Sequence, residues 1–369
     1  MELSLCMIVR DEAARLAQCL ESVRDAVDEI IILDTGSTDE TREIARRYTE
    51  HVHEYVWQDD FAAARNASLA LATRPYILWL DADDVLDRSE LEKLIALKVR
   101  LDGRVDAVMM PYHYAFSQDG RPSLIFDRER IVRREAGFCF AGAVHEAMCV
   151  SGCVIREDIA IRHTGEHGAS SNARNLRIYE AMLKRGAAFS PRDLYYYARE
   201  LKNAGRFEKA QEAFGVFLES GGWQENRLDA LVLRGDCLMQ LARPEEAKRS
   251  YLAALEAGAP HAEALCALGA CFLCQGELGA AAHWYKAALL CSMPLEGGAF
   301  VSPDAYGYVP LMQLCVIYAR MGDEWMASRM NELALLVKPG DPSALYNRAY
   351  FAARLKKDRR NQEKTGWEE

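Results

Sequence analysis

Acidic residues that follow one apolar segment are the strongest chemical signal in this sequence. Residues 76–80 have the composition of a buried strand, and Asp81, Ala82 and Asp83 come directly after it. Two carboxylates separated by one residue at a strand end can point toward one divalent cation, and oxygen ligands suit Mg²⁺ or Mn²⁺. Such an ion keeps coordination positions open for diphosphate oxygens. A solvated acidic turn is the alternative, but the position after an apolar strand favours a metal site.

A second carboxylate motif follows the β-branched segment 30–33. Asp34 ends that segment, Gly36 allows a tight turn, and Ser37 with Glu40 matches a capping box that predicts the start of a helix. One interpretation is an ordinary strand-to-helix turn. The other is that Asp34 contacts the base or ribose of a nucleotide, and the residues alone leave both open.

The first 115 residues alternate strand and helix signals. This alternation indicates βαβ units and a mainly parallel, Rossmann-like α/β sheet, in which ligands bind at the carboxyl ends of strands. Asp34 and Asp81 both lie at such ends. The turn-forming residues 117–122 predict a hairpin after this region. The predicted strands are 3–9, 30–33, 52–56, 76–80 and 107–112, and the predicted helices are 13–23, 61–72 and 91–99.

A repeated helical pattern occupies the chain from about residue 190. Similar segments of a turn followed by a helix recur at 204–214, 241–251, 275–285 and 321–330. A period near 34 residues is typical of tetratricopeptide repeats, although the tryptophan and tyrosine of the strict consensus are mostly absent. We therefore predict an α/β domain at 1–190 that includes a linker helix at about 171–186, an all-α repeat domain at 191–355, and a charged tail at 356–369.

Composition limits the function classes. The formal charge is −10 and no long basic run occurs, which disfavours a nucleic-acid partner. No stretch of about 18 apolar residues predicts a transmembrane segment. The N-terminus does not resemble a signal peptide, because Arg10, Asp11 and Glu12 soon interrupt its apolar run. We expect a cytoplasmic protein whose 11 cysteines are reduced thiols.

Four motifs in the first 84 residues carry a resemblance to a known family. They are MIVRDEAARLAQCLESV, DEIIILDTGSTDET, WQDDFAAARNASL and WLDADD. In this order and spacing they resemble inverting family 2 glycosyltransferases with the GT-A fold. RERIVRR, VHE and IRHTG extend the resemblance to the branch with lipopolysaccharide-core glucosyltransferases. The whole chain is similar to bacterial glycosyltransferases with C-terminal tetratricopeptide repeats, which include the S-glycosyltransferases of glycocin peptides.

The resemblance implies roles for individual residues. Asp83 would be the main metal ligand, and His163 could join the metal, contact the diphosphate or be structural. Asp81 would contact the ribose or the metal, and Asp39 would order its loop or contact the donor. Many family members have Asp-Asp where this chain has Asp34-Thr35, which puts one donor contact in doubt. The residues assigned to the nucleotide-sugar donor are Val9, Glu12, Asp34, Asp39, Arg65, Asp81 and Arg130.

Two further positions remain open. Arg130 and Arg133 could hold phosphate through bidentate contacts, or they could be ordinary surface arginines. The usual acidic base motif of the family is missing, so Glu146 is the first choice for the catalytic base and His145 the second. The alternative for His145 and Glu146 is a structural hydrogen-bonding pair.

The sequence thus predicts a metal-dependent inverting glycosyltransferase that uses Mg²⁺ or Mn²⁺. The donor would be a nucleotide sugar, with a UDP-sugar as the family default. The acceptor would be a Cys or Ser/Thr side chain of a peptide or protein bound by the repeats. A cell-surface or lipid-linked glycan is the alternative acceptor, and a non-catalytic interaction protein is the alternative class. A homodimer is one assembly that the sequence allows.

Overall fold

The computed structural model describes residues 1–116, 120–165, 169–258, 261–294 and 301–365. The chain divides into two compact units: the first contains Met1–Ala115 and Ile125–Ala204, and the second contains the helices that follow from Gly205 onward. Part of the turn predicted at 117–122 lies outside the described residues. In the ranges given above, no helix is both long and apolar enough to cross a membrane. The predicted domain limits at 190 and 355 stay predictions.

A mixed, mainly parallel sheet organises the first unit, as predicted. Its strand order is β3-β2-β1-β4-β7-β6-β11-β5, and β10 pairs with β6. Among the described residues, β1 pairs in parallel with β2 and β4, β2 with β3, and β6 with β10 and β11, whereas the pairs β4–β7 and β5–β11 are antiparallel. The strands are β1 (Leu3–Val9), β2 (Glu29–Asp34), β3 (Val52–Glu54), β4 (Tyr76–Trp79), β5 (Asp84–Val85), β6 (Ala107–Phe116), β7 (Pro122–Arg133), β8 (Phe140–Ala141), β9 (Ala147–Met148), β10 (Val154–Arg156) and β11 (Ile161–His163).

The two faces of this sheet are covered by different cores, which explains why β1 and β4 are apolar throughout. Side chains alternate along a strand, so Leu78 of β4 packs in one cluster with Leu5 of β1, while its neighbour Trp79 packs in the other with Cys6. The register Leu5↔Leu78 aligns the two strands. Both strands are therefore buried on both faces, and the polar residues that follow them lie at the carboxyl edge of the sheet.

In the part of the first unit that the structure describes, the α-helices are α1 (Leu16–Val23), α2 (Thr41–Ala45), α3 (Phe61–Leu69), α4 (Arg88–Arg100), α5 (Ala169–Lys184) and α6 (Pro191–Asn203). A helix does follow Asp34, but the predicted capping box is wrong. No side chain caps α2 at Glu40. The Ser37 hydroxyl instead accepts from the Asp11 amide at 3.0 Å, because this loop folds back on the segment after β1.

The second unit is helical, as predicted. Helices that are adjacent in the chain pack against each other, which is the tetratricopeptide-like arrangement. The second residue of each predicted repeat segment is left-handed: Gly205, Ala242, Gly276 or Gly322. The helices are α7 (Phe207–Glu219), α8 (Gln224–Gln240), α9 (Pro244–Ala257), α10 (Ala262–Cys274), α11 (Leu278–Ala288), α12 (Tyr308–Arg320), α13 (Glu324–Val337) and α14 (Pro342–Thr365).

Close helix approach within the repeats depends on a glycine and a tyrosine. A Cβ atom on Gly235 would lie 2.2 Å from the ring of Tyr251, and one on Gly269 would lie 2.8 Å from the ring of Tyr285. Both glycines are on the first helix of a pair and both tyrosines on the second. The same contact therefore recurs in successive repeats.

Candidate active site

Three neighbouring parallel strands end at one edge of the sheet. Val9 and Asp34 are register partners at the ends of β1 and β2, and β4 runs parallel to β1 on its other side. The Val9 carbonyl accepts from the Thr35 amide at 2.9 Å, which holds the two strand ends together. Carboxyl ends of parallel strands share an edge, so Asp34 and Asp81 emerge on the same side of the sheet.

Asp34 shapes a compact loop. Its carboxylate is 1% exposed and accepts from the amides of Gly36 at 3.2 Å and Ser37 at 3.1 Å. Gly36 has a φ of +105°, which side-chain-bearing residues rarely adopt. Asp39, predicted to order its loop or contact the donor, accepts from the Ala13 amide at 3.1 Å and the Thr41 amide at 3.0 Å. The structure thus shows the ordering contacts for Asp39.

Glu12 faces the acidic groups that follow β4. Its amide donates to the Thr41 hydroxyl at 2.7 Å, and its Oε2 is buried with no hydrogen-bond partner among the described residues. Burial, together with the negative charges of Asp83 and Asp81, raises the pKa of Glu12 to about 7 against the opposing charge of Arg15. Glu12 is therefore close to both carboxylates of the Asp81–Asp83 motif.

A short antiparallel pairing brings His163 to the acidic loop. In the pairing of β5 with β11, His163 is the register partner of Asp84. Thr164 then ties the loop down, because its amide and its hydroxyl both donate to the Asp83 carbonyl, at 2.7 and 2.8 Å. The side chains of Asp83, Asp84 and His163 consequently offer ligand atoms that lie within 4.8 Å of one another.

Asp84 holds this cluster in place through buried hydrogen bonds. It is fully buried and accepts from the Asp81 amide at 3.0 Å and from Arg130 Nη1 at 2.9 Å. Its other oxygen accepts from the Tyr112 hydroxyl at 2.7 Å, and that hydroxyl lies 3.0 Å from His163 Nδ1. The chain Asp84–Tyr112–His163 therefore orients the imidazole, as partners behind metal-binding histidines commonly do.

Gly165 leaves room beside Asp83 and His163. A Cβ atom at this position would lie 2.2 Å from Asp83 Oδ2 and 2.8 Å from His163 Nε2. Both polar atoms thus face a cradle that any larger residue would fill. Burial lowers the pKa of His163, but its hydrogen bonds with Asp83 and Asp84 and their charges outweigh burial and raise that pKa to about 9. The negative potential that holds this proton would equally attract a cation.

Arg65 joins the acidic loop to Glu146. Its guanidinium donates from Nη2 to Asp81 Oδ1 at 2.6 Å and from Nε to Glu146 Oε1 at 2.5 Å. It also stacks over the Trp79 ring, 4.8 Å from the centroid. Burial would raise the pKa of Asp81, but the positive charges of Arg65 and Arg130 lower it. Arg65, predicted as a nucleoside contact, is in this structure a buried bridge between two site carboxylates.

The side chain of His145 has different partners from that of Glu146, although the two residues are adjacent in sequence. Its Nε2 lies 2.6 Å from Glu200 Oε1, and its ring stacks on Tyr196 with centroids 4.2 Å apart. Its backbone has a φ of +51°, in the left-handed region. His145 and Glu146 therefore do not form the structural pair considered as their alternative, because each has its own partner.

The two arginines predicted as phosphate clamps have protein partners. Arg130 is fully buried against Asp84 and lies 4.1 Å from the Trp79 ring centroid, so it is not a surface arginine. A side chain without exposure cannot contact a donor in this conformation, and we correct its expected role to that of an anchor for Asp84. Arg133 pairs with Asp106 at 3.0 Å.

Sequence reasoning missed several residues of this site. Asp84 directly follows the predicted motif but was not assigned a role, and Tyr112 ends a predicted strand without any distinctive signal. Gly165 stands two residues after His163, and that spacing could have suggested a close backbone approach. Glu200 lies within a predicted repeat helix, where nothing in the pattern separates it from surface glutamates.

Comparison with known proteins identifies the first domain. Residues 4–161 match the sequence model of the family described as Glycosyl transferase family 2. The chain thus contains a glycosyltransferase domain that is similar to this family. This confirms the resemblance that the four motifs carry, and the glycosyltransferase domain contains the Asp81–Asp83 motif, His145 and Glu146.

Individual relatives cover different parts of the chain. A TPR repeat-containing protein of Synechococcus elongatus is 52% identical over 101 residues, which are 27% of this chain and 24% of that protein. The SPbeta prophage-derived glycosyltransferase SunS of Bacillus subtilis is 28% identical over 249 residues, 63% of this chain and 58% of SunS. The lipopolysaccharide core biosynthesis glycosyltransferase LpsC of Rhizobium meliloti is 29% identical over 161 residues, 41% of this chain and 58% of LpsC. The chain thus spans less than two thirds of each relative.

Proposed function

We propose that the chain is a metal-dependent, inverting glycosyltransferase. It would transfer a sugar from a nucleotide diphosphate, a UDP-sugar by family default, to a Cys or Ser/Thr side chain of a peptide or protein. The observation that carries the proposal is the cluster of Asp83, Asp84 and His163 at the sheet edge where Asp34 also emerges. A candidate cation site and the strand-end carboxylate of Asp34 thus lie at one edge of the domain that matches glycosyltransferase family 2.

Asp83 and His163 would hold Mg²⁺ or Mn²⁺. The residues fit such an ion, because the cradle at Gly165 leaves space beside both side chains and the local potential is strongly negative. Asp84 accepts from three protein donors and would position the ligands. When bound, the cation would neutralise the charge that develops on the diphosphate leaving group.

The donor would lie along the edge formed by β1, β2 and β4. Asp34 and Val9 are buried, so they would act through the loop that they hold beside the nucleoside. Glu12 and Asp39 would flank the nucleoside, and Asp81 would face the ribose. Arg65 supports this reading indirectly, because its bond to Asp81 fixes that carboxylate in place. Arg130 is not included, since it is buried behind Asp84.

The reaction requires a group that takes the acceptor proton. The acceptor oxygen or sulfur attacks the anomeric carbon, its proton passes to a base, and the bond to the diphosphate breaks with its electron pair. Glu146 and His145 are the candidates, and both stand in the turn between β8 and β9. A thiol acceptor needs less help from a base, because cysteine is far more acidic than an alcohol.

The repeat region would select a peptide acceptor. Tetratricopeptide arrays bind extended peptides, and the relative SunS is a glycosyltransferase. LpsC, named for lipopolysaccharide core biosynthesis, motivates the alternative acceptor, a cell-surface or lipid-linked glycan. Incubation of the full chain with UDP-sugars and Cys- or Ser-containing peptides, followed by mass spectrometry, would separate the two acceptor classes.

A donor assay tests the catalytic claim. Purified protein with Mn²⁺ and a panel of UDP-sugars should release UDP, and Asp83→Asn should abolish the release. Asp87→Asn is the matched control, because Asp87 is an exposed carboxylate of the same loop region. If the wild-type protein binds no nucleoside diphosphate in the presence of Mn²⁺, the chain is a non-catalytic interaction protein and the proposal is wrong.

A further inference from the structure

The turn between β8 and β9 sends two adjacent side chains to opposite partners. Glu146 is 8% exposed and its carboxylate is 2.5 Å from the guanidinium of Arg65. If Glu146 took up a proton, buried Arg65 would keep only Asp81 as a charged partner. Removing one partner from a buried ion pair is strongly unfavourable. The geometry therefore commits the Glu146 carboxylate to holding Arg65.

His145 has the opposite environment. Its Nε2 lies 2.6 Å from Oε1 of Glu200, a carboxylate that is only 3% exposed. Asn175 donates to the same oxygen at 2.9 Å, and Asn172 donates to Oε2. Burial would raise the pKa of Glu200, but the hydrogen bonds from His145, Asn175 and Asn172 lower it overall. Glu200 is thus a fixed anion in hydrogen-bond contact with the imidazole of His145.

The backbone of His145 has a rare conformation, and its ring and carbonyl are held by contacts with α6. Its φ of +51° is costly for a residue with a side chain, and such outliers cluster at functional sites. Arg192 Nε donates to the His145 carbonyl at 2.9 Å, and the Tyr196 ring lies parallel to the imidazole within 14°. Two contacts on α6 therefore maintain the strained residue in one orientation.

Tyr114 interacts both with Glu200, the partner of His145, and with the cluster that contains Asp83 and His163. The Tyr114 ring stacks on His163 with ring centroids 5.2 Å apart. Burial raises the pKa of Tyr114, the positive charge of Arg199 lowers it, and the negative charges of Glu200, Asp81 and Asp83 raise it further. The charged groups around His145 are Glu200 and Arg192 on α6, Glu146 in its own turn, and Arg174 on α5, which interacts with both Glu146 and Glu200.

We propose that His145 is the general base of this glycosyltransferase and that Glu200 is its positioning residue. This inference rests on the proposed function. The hydrogen bond to Glu200 keeps a proton on Nε2, so Nδ1 receives the proton of the acceptor. The acceptor heteroatom bonds to the anomeric carbon, and the bond from that carbon to the diphosphate oxygen breaks with its electron pair. The products are the glycosylated acceptor, the nucleoside diphosphate and an imidazolium paired with Glu200.

Hydrolysis of a UDP-sugar tests the dyad without an identified acceptor, because water must also lose a proton. With full-length protein, Mn²⁺ and the most active UDP-sugar, His145→Gln should lower kcat about 100-fold or more and leave UDP affinity unchanged. His145→Gly should recover part of the lost rate when imidazole is added. The control is His51→Gln, which should behave as wild type, because His51 is exposed and directly precedes β3, the outermost strand in the sheet order.

The Glu200→Gln variant distinguishes a positioning role of Glu200 from a purely structural role. The amide still accepts from Nε2 but carries no charge, so kcat should fall about 10-fold, with KM unchanged, as a charge-assisted hydrogen bond becomes neutral. The acidic fall of the kcat profile should move to lower pH, because the imidazolium loses its anionic partner. A purely structural Glu200 would change the melting temperature without moving this profile.

The outcomes are distinguishable. If the wild-type protein neither binds UDP nor hydrolyses any UDP-sugar, the proposed function fails. If the wild-type protein is active and His145→Gln hydrolyses the donor at the same rate, the dyad alone is wrong. An unmoved pH profile in Glu200→Gln, or no rescue of His145→Gly by imidazole, also overturns the assignment.

Discussion

Gly165→Ala should remove the metal site while the fold is retained. The new Cβ would lie 2.2 Å from Asp83 Oδ2 and 2.8 Å from His163 Nε2, whereas non-bonded heavy atoms prefer separations of about 3.5 Å or more. Asp83 must therefore move by about 1 Å. The backbone of Gly165 is not in the left-handed region, so alanine itself causes no conformational strain.

A displacement of about 1 Å is large for coordination, because ligand distances in metal sites vary by only about 0.2 Å. Even changes behind the ligands reduce metal affinity about 10- to 100-fold, and displacing a ligand should cost at least this much, about 1.4–2.8 kcal/mol. Mn²⁺ binding is measured by calorimetry or by electron paramagnetic resonance of free Mn²⁺. The unfolding temperature, followed by circular dichroism, should stay near that of the wild type.

Gly215→Ala is the matched control. Its added Cβ meets nothing within 4 Å, and Gly215 lies inside α7, so the same change should leave Mn²⁺ affinity unaltered. If Gly165→Ala folds and binds Mn²⁺ as tightly as the wild type, the cation is not held beside Asp83 and His163. That result would refute the placement of the metal.

Three further perturbations test other parts of the structure. Arg65→Met should destabilise the protein by about 3 kcal/mol in urea unfolding, because it leaves the carboxylates of Asp81 and Glu146 without their buried cation. Mn²⁺ binding at pH 7 should release nearly one proton, because the pKa of His163 is about 9 and a ligating imidazole is neutral. Affinity should accordingly rise with pH until about pH 9, and calorimetry in buffers of different ionisation enthalpy measures the release. Ala242→Gly should stabilise the repeats by about 0.5–1 kcal/mol, because Ala242 has a φ of +56°.

Each of these predictions has a control variant or an outcome that would contradict it. Arg88→Met removes an exposed pair with Glu92 and should cost no more than about 0.5 kcal/mol, so an equal loss for both arginines would contradict the buried bridge. A binding heat that does not depend on the buffer would exclude His163 as a protonated ligand. Gly205→Ala, at the equivalent turn with φ of +70°, should lower the free energy of unfolding. If Ala242→Gly and Gly205→Ala change that free energy in the same direction, the left-handed geometry of these turns is wrong.

The sequence was sufficient for those parts of the protein that depend on local pattern. The apolar segments of β1 and β4 identify strands buried on both faces, and the period of the turn-helix segments identifies the repeats. The Asp81–Asp83 motif could be read as a cation site because carboxylates directly after a strand emerge at its carboxyl end. Local signals failed at Ser37, whose hydroxyl bonds to the Asp11 amide instead of capping a helix.

Tertiary structure alone decided which residues complete the site. His163 meets Asp84 because β11 pairs with β5, and Glu200 meets His145 because α6 packs beside the turn after β8, 55 residues away in sequence. Burial likewise reassigned Arg130 from a phosphate clamp to an anchor. Hydrogen bonds between distant segments leave no periodicity in the sequence, since their partners are chosen by packing of the whole domain. The strand-end carboxylates can therefore be recognised in the sequence, whereas the partners of the histidines, arginines and glutamates around them are decided only by the fold.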